Sequence, residues 1–166
     1  MVKIFHVSEA AEIALFEPRP TPYVSQPVVW AIAESHLAAY LAPRDCPRIT
    51  FYANAQTSAA DKARFLGHSQ RVMAIPQRWY ERLRRTTLYL YELPAAPFTC
   101  HDPIAGYYVA ECAVRPRRIT RVDDVVGALL ARGVELRLLA SLLPLRDAVV
   151  ASSLACSIIR WRNVDE

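Results

Sequence analysis

Twelve prolines against four glycines constrain this 166-residue chain more than any other feature. Proline fixes φ and lacks a backbone N–H, so it ends or kinks helices and is kept out of sheet interiors. Here the prolines are spread along the chain and cut it into short elements instead of marking one linker. Pro18-Arg19-Pro20-Thr21-Pro22 is the densest stretch and predicts a stiff loop. Four glycines leave no G-x-G-x-x-G and no G-x-x-x-x-G-K-[ST], which disfavours the usual dinucleotide and P-loop phosphate cradles. There is no internal repeat and no low-complexity tract, and the length predicts a single domain over residues 1–166.

Runs rich in β-branched and aromatic residues predict strands at Val2–Val7, Pro27–Ile32, Arg48–Tyr52, Thr86–Glu92, Tyr107–Val114, Val134–Leu139 and Ser157–Trp161, with a short one at Arg71–Ile75. Helices are predicted at Glu34–Leu41, which stops before Pro43, and at Ala59–Leu66, which ends at Gly67. Pro76 suits a first helical turn and opens Gln77–Arg85. Asp123–Arg132 has acidic residues at its start, a basic one in its last turn and Gly133 as its stop, and Leu143–Ser152 follows. Helices and strands alternate irregularly, and several strands follow one another directly. That order predicts an α+β fold with a mixed, mostly antiparallel sheet and short flanking helices.

Apolar residues make up 53% and charged residues 22%, enough to bury a core and too apolar for disorder. No apolar run approaches the roughly 18 residues of a membrane span. The start, Met1-Val2-Lys3-Ile4-Phe5-His6, lacks the basic-then-apolar order of a signal peptide, so the expectation is a soluble cytoplasmic domain with no membrane partner. The net charge is +4, and only Lys3 and Lys62 among twenty basic residues are lysine. Arginine's planar fork suits phosphate and carboxylate, although a GC-rich genome produces the same bias.

Cys46, Cys100, Cys112 and Cys156 are scattered, with no C-x-x-C pair, which predicts buried free thiols. Cys100-His101-Asp102 sets three ligand types side by side, but consecutive loop residues do not converge on one ion. The expectation is a polar loop beside a buried thiol, and no metal. His6 interrupts an apolar strand, where a polar side chain must be paired or face a cleft. By period two it shares a face with Ile4 and Ser8, opposite Phe5 and Val7. Glu111 and Glu135 also interrupt apolar strands. Glu135 shares a face with Arg137 while Val134, Leu136 and Leu138 point to the core. That face is either an exposed ion pair, worth little to stability, or a carboxylate aimed into a cleft. A register slip of one residue would make Glu111 the functional carboxylate instead.

Phe5-His6-Val7-Ser8, the strand Val28-Val29-Trp30-Ala31-Ile32 with its helix ending Ala39-Tyr40-Leu41, and Val134-Glu135-Leu136-Arg137 together resemble a small uncharacterised bacterial family, over nearly the whole chain. More remotely, their order is similar to the ADP-ribosyltransferase superfamily, and the Glu135 region to the catalytic glutamate of DNA-targeting toxins of that kind. Val7 stands where the H-G-[ST] pattern has glycine, and Trp30-Ala31 stands where an S-T-S triplet is usual. The resemblance implies an ADP-ribosyltransferase-like fold with NAD as substrate. His6 and Ser8 would hold the nicotinamide-side ribose, and Trp30 or Tyr40 would wall the nicotinamide. Glu135 would stabilise the oxocarbenium-like charge as nicotinamide leaves.

Two other classes compete. Arg82, Arg84 and Arg85, and Arg115, Arg117, Arg118 and Arg121 around Pro116, are interleaved with Tyr89, Tyr91, Tyr107 and Tyr108. Arginines beside aromatics are the ingredients of a non-enzymatic nucleotide- or nucleic-acid-binding surface. A hydrolase or phosphotransferase acting on a nucleotide-like substrate is the third class, since RNA 2′-phosphotransferases share the same general fold.

Overall fold

The computed structural model describes residues 1–165 and shows two compact units, each assembled from separated stretches of chain. Strands β1 to β10 and helices α1 to α4 are numbered along the chain. The first unit takes Met1–Leu41 and Thr87–Asp123, and the second takes Ala42–Thr86 and the chain from Asp124 onward. The architecture is α+β with two mostly antiparallel sheets and a few short helices.

In the first unit, β1 (Ile4–Ser8), β2 (Val29–Ala33), β5 (Leu88–Leu93), β6 (Thr99–Asp102), β7 (Tyr107–Ala110) and β8 (Arg118–Val122) form one antiparallel sheet in the order β6-β7-β2-β1-β5-β8. Register fixes its faces, because side chains of paired residues lie on the same side. Ile4 pairs with Ala33 and with Leu93, and His6 pairs with Tyr91. Ile4, Val29, Ala31, Tyr91, Leu93 and Ala110 bury one face under Phe16, Phe98 and Val114. Phe16 is brought there by a reciprocal main-chain pair with Val114, at 2.8 and 2.9 Å. Phe5 pairs with Ile32, and Trp30 pairs with Val109, so Phe5, Trp30, Ile32 and Tyr107 point to the other face. A 3₁₀ helix, Glu34–Tyr40, follows β2.

In the second unit, β3 (Arg48–Tyr52), β4 (Arg71–Pro76), β9 (Val134–Leu139) and β10 (Ala155–Ile159) pair in the order β10-β3-β4-β9, with β4 and β9 parallel. Ile49, Phe51, Val72 and Ala74 on one face pack with Phe65, Leu66, Leu142, Val149 and Leu154. Those residues come from α1 (Ala59–Asp61) with its π turn Lys62–Leu66, from α4 (Leu143–Val150) and from their flanks. Here the Gly67 N–H reaches the Lys62 carbonyl, five residues back, at 3.1 Å. A 3₁₀ turn, Gln77–Trp79, opens after Pro76 and leads into α2 (Tyr80–Arg85). The N-cap of α3 (Val125–Leu130) is Asp124, whose Oδ1 accepts from the Gly127 N–H at 2.8 Å.

Several sequence expectations need correction. Strands β6 and β8 were not expected, and Cys100-His101-Asp102 lies in β6 rather than in a loop. The strand expected over Tyr107–Val114 ends at Ala110, where its partner runs out at Val29. Leu138 is 40% exposed, because β9 is an edge strand with a neighbour on one side only. Of the four free thiols only Cys46 is buried.

Candidate functional site

The residues with the most organised geometry surround Trp30, in the first unit. Three rings stand almost perpendicular to its half-buried indole. His101 is at 5.3 Å and 88°, Tyr107 at 5.8 Å and 81°, and Tyr23 at 6.4 Å and 86°. Tyr40, from the end of the 3₁₀ helix, joins through Tyr107, their hydroxyl oxygens 2.6 Å apart. Edge-to-face placement is favoured by the ring quadrupoles, and the cluster has both apolar faces and hydroxyl edges to offer a ligand.

Two local devices place these rings. Tyr107 follows from strand alternation, since it pairs with Ile32 and lies on the face that carries Trp30. His101 depends on an irregularity: Cys100 pairs with Tyr108 and Asp102 with Tyr107, leaving His101 as an extra residue in a β-bulge. Bulges re-aim side chains and are common beside functional sites. The β6–β7 turn is fixed by Asp102, whose Oδ1 accepts from the Ile104 and Ala105 N–H groups at 2.9 Å each. At its end Gly106 has φ +74°, and a Cβ there would meet His36 Nδ1 at 2.5 Å and Cγ at 2.7 Å. Gly106→Ala is therefore expected to cost about 2 kcal/mol from the left-handed backbone alone, plus displacement of the His36 ring. Urea unfolding would measure the loss, and near-UV circular dichroism would report disturbance of the aromatic cluster.

The other sequence-predicted site residues lie elsewhere. His6 and Ser8 share the face of Ile4, opposite that of Trp30, so the ribose and ring groups are on different sides of the sheet. His6 Nδ1 donates to the Trp30 carbonyl oxygen at 3.2 Å, and its ring lies 4.8 Å from Phe16. This is the backbone partner that a histidine in a core needs. The Ser8 hydroxyl oxygen accepts from the Ala10 N–H at 3.0 Å. Glu135 belongs to the second unit. It accepts from Arg137 Nε at 2.7 Å and from the Ser69 hydroxyl, and these bonds hold its carboxyl below the usual range, Arg137 first. The pair is half-buried rather than fully exposed. Glu111 lies past the end of β7 and is exposed.

The arginine–tyrosine surface is only partly assembled. Tyr89 pairs with Arg121 across β5 and β8, but Arg121 is bonded to Asp123 at 2.9 Å. Tyr91 is fully buried and donates its hydroxyl to the Ala10 carbonyl, so no base can stack on it. Tyr108 packs against the buried core on the face opposite Trp30. Cys46 is no nucleophile either: burial pushes its thiol up to about 12, against the lowering pull of Arg48, Arg82 and Arg78. Among the described residues no three His, Cys, Asp or Glu side chains are grouped to hold a metal ion, and no helix is long and apolar enough to cross a membrane.

Trp30 and Tyr40 were named from the resemblance, as the wall of a nicotinamide site. Tyr107 and His101 were missed as their partners. Only the pairing of β2 with β7 and the bulge in β6 bring them in, and neither has a short-range signal. Compared with known proteins, the chain matches a model described as a family of unknown function over residues 5–164. No curated protein and no solved structure matches it.

Proposed function

We propose, for a chain that belongs to the family DUF6886, that the first unit binds a nucleotide-like small molecule by its flat ring. The observation that carries this reading is the half-buried Trp30 indole ringed by Tyr107, His101 and Tyr23, with Tyr40 tied to Tyr107. Planar faces of this kind take bases and nicotinamide by stacking, worth about 1–3 kcal/mol per ring. NAD carries two such rings and is the first ligand to test. His6 and Ser8 stand outside the ring site in this reading.

A second, separate reading concerns the second unit by itself. Glu135, kept ionised by Arg137 and Ser69, has the charge state that an NAD-dependent ADP-ribosyl transfer requires. In that reaction the bond from ribose C1′ to the nicotinamide nitrogen breaks, its electron pair leaving with nicotinamide. An acceptor nucleophile bonds to C1′ and gives up its proton. A fixed carboxylate lowers the energy of the cation between those events.

Calorimetry of NAD binding tests both. Saturable heat is expected from the wild type, with Trp30→Ala weakening binding about tenfold or more. Glu135→Gln is expected to leave binding intact and to abolish release of nicotinamide wherever turnover is seen. No heat at millimolar NAD, AMP or nicotinamide mononucleotide would overturn the nucleotide reading.

A further inference from the structure

We propose that the Trp30 cluster selects for positive charge, taking a weakly hydrated organic cation, an alkylated ammonium or a pyridinium ring, in preference to a neutral group of the same shape. This rests on the same aromatic site as the nucleotide reading, and it adds the charge of the group that enters.

The first support is a contrast within the molecule. The chain's other two indoles are each covered by one of its own arginines. Arg82 lies 5.0 Å from the Trp79 ring centre and Arg146 lies 4.7 Å from that of Trp161. Phe65, Tyr52 and Phe51 likewise have Arg64, Arg71 and Arg137 within 5.8 Å. Among the described residues no arginine or lysine lies over Trp30, although indole is the best cation acceptor of the side chains. Its neighbours are themselves π systems, set at 81–88° to it. The face of a ring is the negative part of its quadrupole, and rings gathered around one place are the arrangement that recognises quaternary ammonium groups.

The second support is the charge at the rim. The bulge that turns His101 toward Trp30 brings Asp102 opposite Tyr107. One carboxylate oxygen of Asp102 accepts from the Ile104 and Ala105 N–H groups, which fixes the carboxylate in place. An anion beside an aromatic wall favours a cation over a neutral ring, and it disfavours a bare phosphate. Weak hydration matters because a lysine-like ammonium would lose more to desolvation than the rings return.

Calorimetry with two matched pairs decides the matter. Choline is compared with 3,3-dimethyl-1-butanol, its uncharged isostere, and oxidised with reduced nicotinamide mononucleotide. The charged member is expected to bind about fivefold or more tightly. Trp30→Phe should keep part of the preference and Trp30→Leu should remove it. If Trp30→Leu fails to fold, the pairs on the wild-type protein still give the answer. A preference in one pair alone identifies the source of the cation. Choline binding without any nucleotide binding keeps this inference and overturns the nucleotide reading. Equal or tighter binding by the neutral members overturns this inference and leaves the nucleotide reading standing. No binding by either pair overturns it as well.

Discussion

Tyr91→Ala is expected to lower stability by about 3–5 kcal/mol, the range for removing a large aromatic side chain from a packed core. Tyr91 is 0% exposed and holds together two layers of the first unit. Its ring meets Phe16 edge-on at 5.2 Å, and Phe16 in turn lies against His6. Its hydroxyl donates to the Ala10 carbonyl at 2.6 Å and accepts from the Ile13 N–H at 3.1 Å, tying the segment after β1 back over the sheet. Tyr91→Phe keeps the ring and loses only those bonds, so it is expected to cost about 1–2 kcal/mol. Urea titration of the three proteins, with m-values compared to exclude a change in the unfolded state, measures both numbers. A Tyr91→Phe loss as large as that of Tyr91→Ala would mean that the hydroxyl, and not the ring, carries the packing.

Phe51→Ala is the corresponding change in the second unit, again expected to cost about 3–5 kcal/mol. Phe51 is 0% exposed at the centre of the cluster with Phe65, Leu66 and Val149, and its ring meets that of Phe65 at 6.5 Å. It also supports Arg137, whose guanidinium carbon is 5.8 Å from the ring centre. Truncation should therefore loosen the Arg137–Glu135 bond and let the Glu135 carboxyl rise toward its usual range, which NMR titration would follow. The sign is fixed by linkage. A depressed carboxyl contributes stability above its usual range and loses it as pH falls through the folded value. Phe51→Ala should then make stability less dependent on pH in that acidic window. Phe51→Leu, which retains most of the volume, is expected to cost less than half as much.

The interior of the fold was legible because its signals are local. Arg48–Tyr52 and Val134–Leu139 were read with the bounds they have, since β-branched and aromatic side chains dominate one and apolar and charged side chains alternate in the other. An acidic start was also read correctly, since Asp124 caps α3, but the helix ends at Leu130 with Ala131 as its C-cap, so Arg132 and Gly133 fall beyond it. Strands β6 and β8 escaped because their residues are almost all exposed. An edge strand without a buried face has no hydrophobic period to read. Leu138 misled for the related reason that alternation identifies a face but not what covers it. The candidate site divides along the same line. Trp30 and Tyr40 entered only through the resemblance, as an aromatic wall, whereas His101 depends on one unpaired residue in a hairpin. His6 was placed on its correct face from period two alone. The face of Trp30 depended on register between strands, which no single segment encodes.

The interleaving of the two units has a consequence for synthesis. The inner strand β1 finds its partner β5 only through Ile4 with Leu93 and the pairs that follow. When β1 through β4 have left the ribosome, β1 still lacks one whole side of its ladder, and β4 still awaits β9. Neither sheet can close in the order in which it is made. Such long-range pairing slows folding and prolongs exposure of unpaired strand edges. Cutting the chain between residues 86 and 87 would therefore release no foldable half. A separately produced first unit would need both residues 1–41 and residues 87–123.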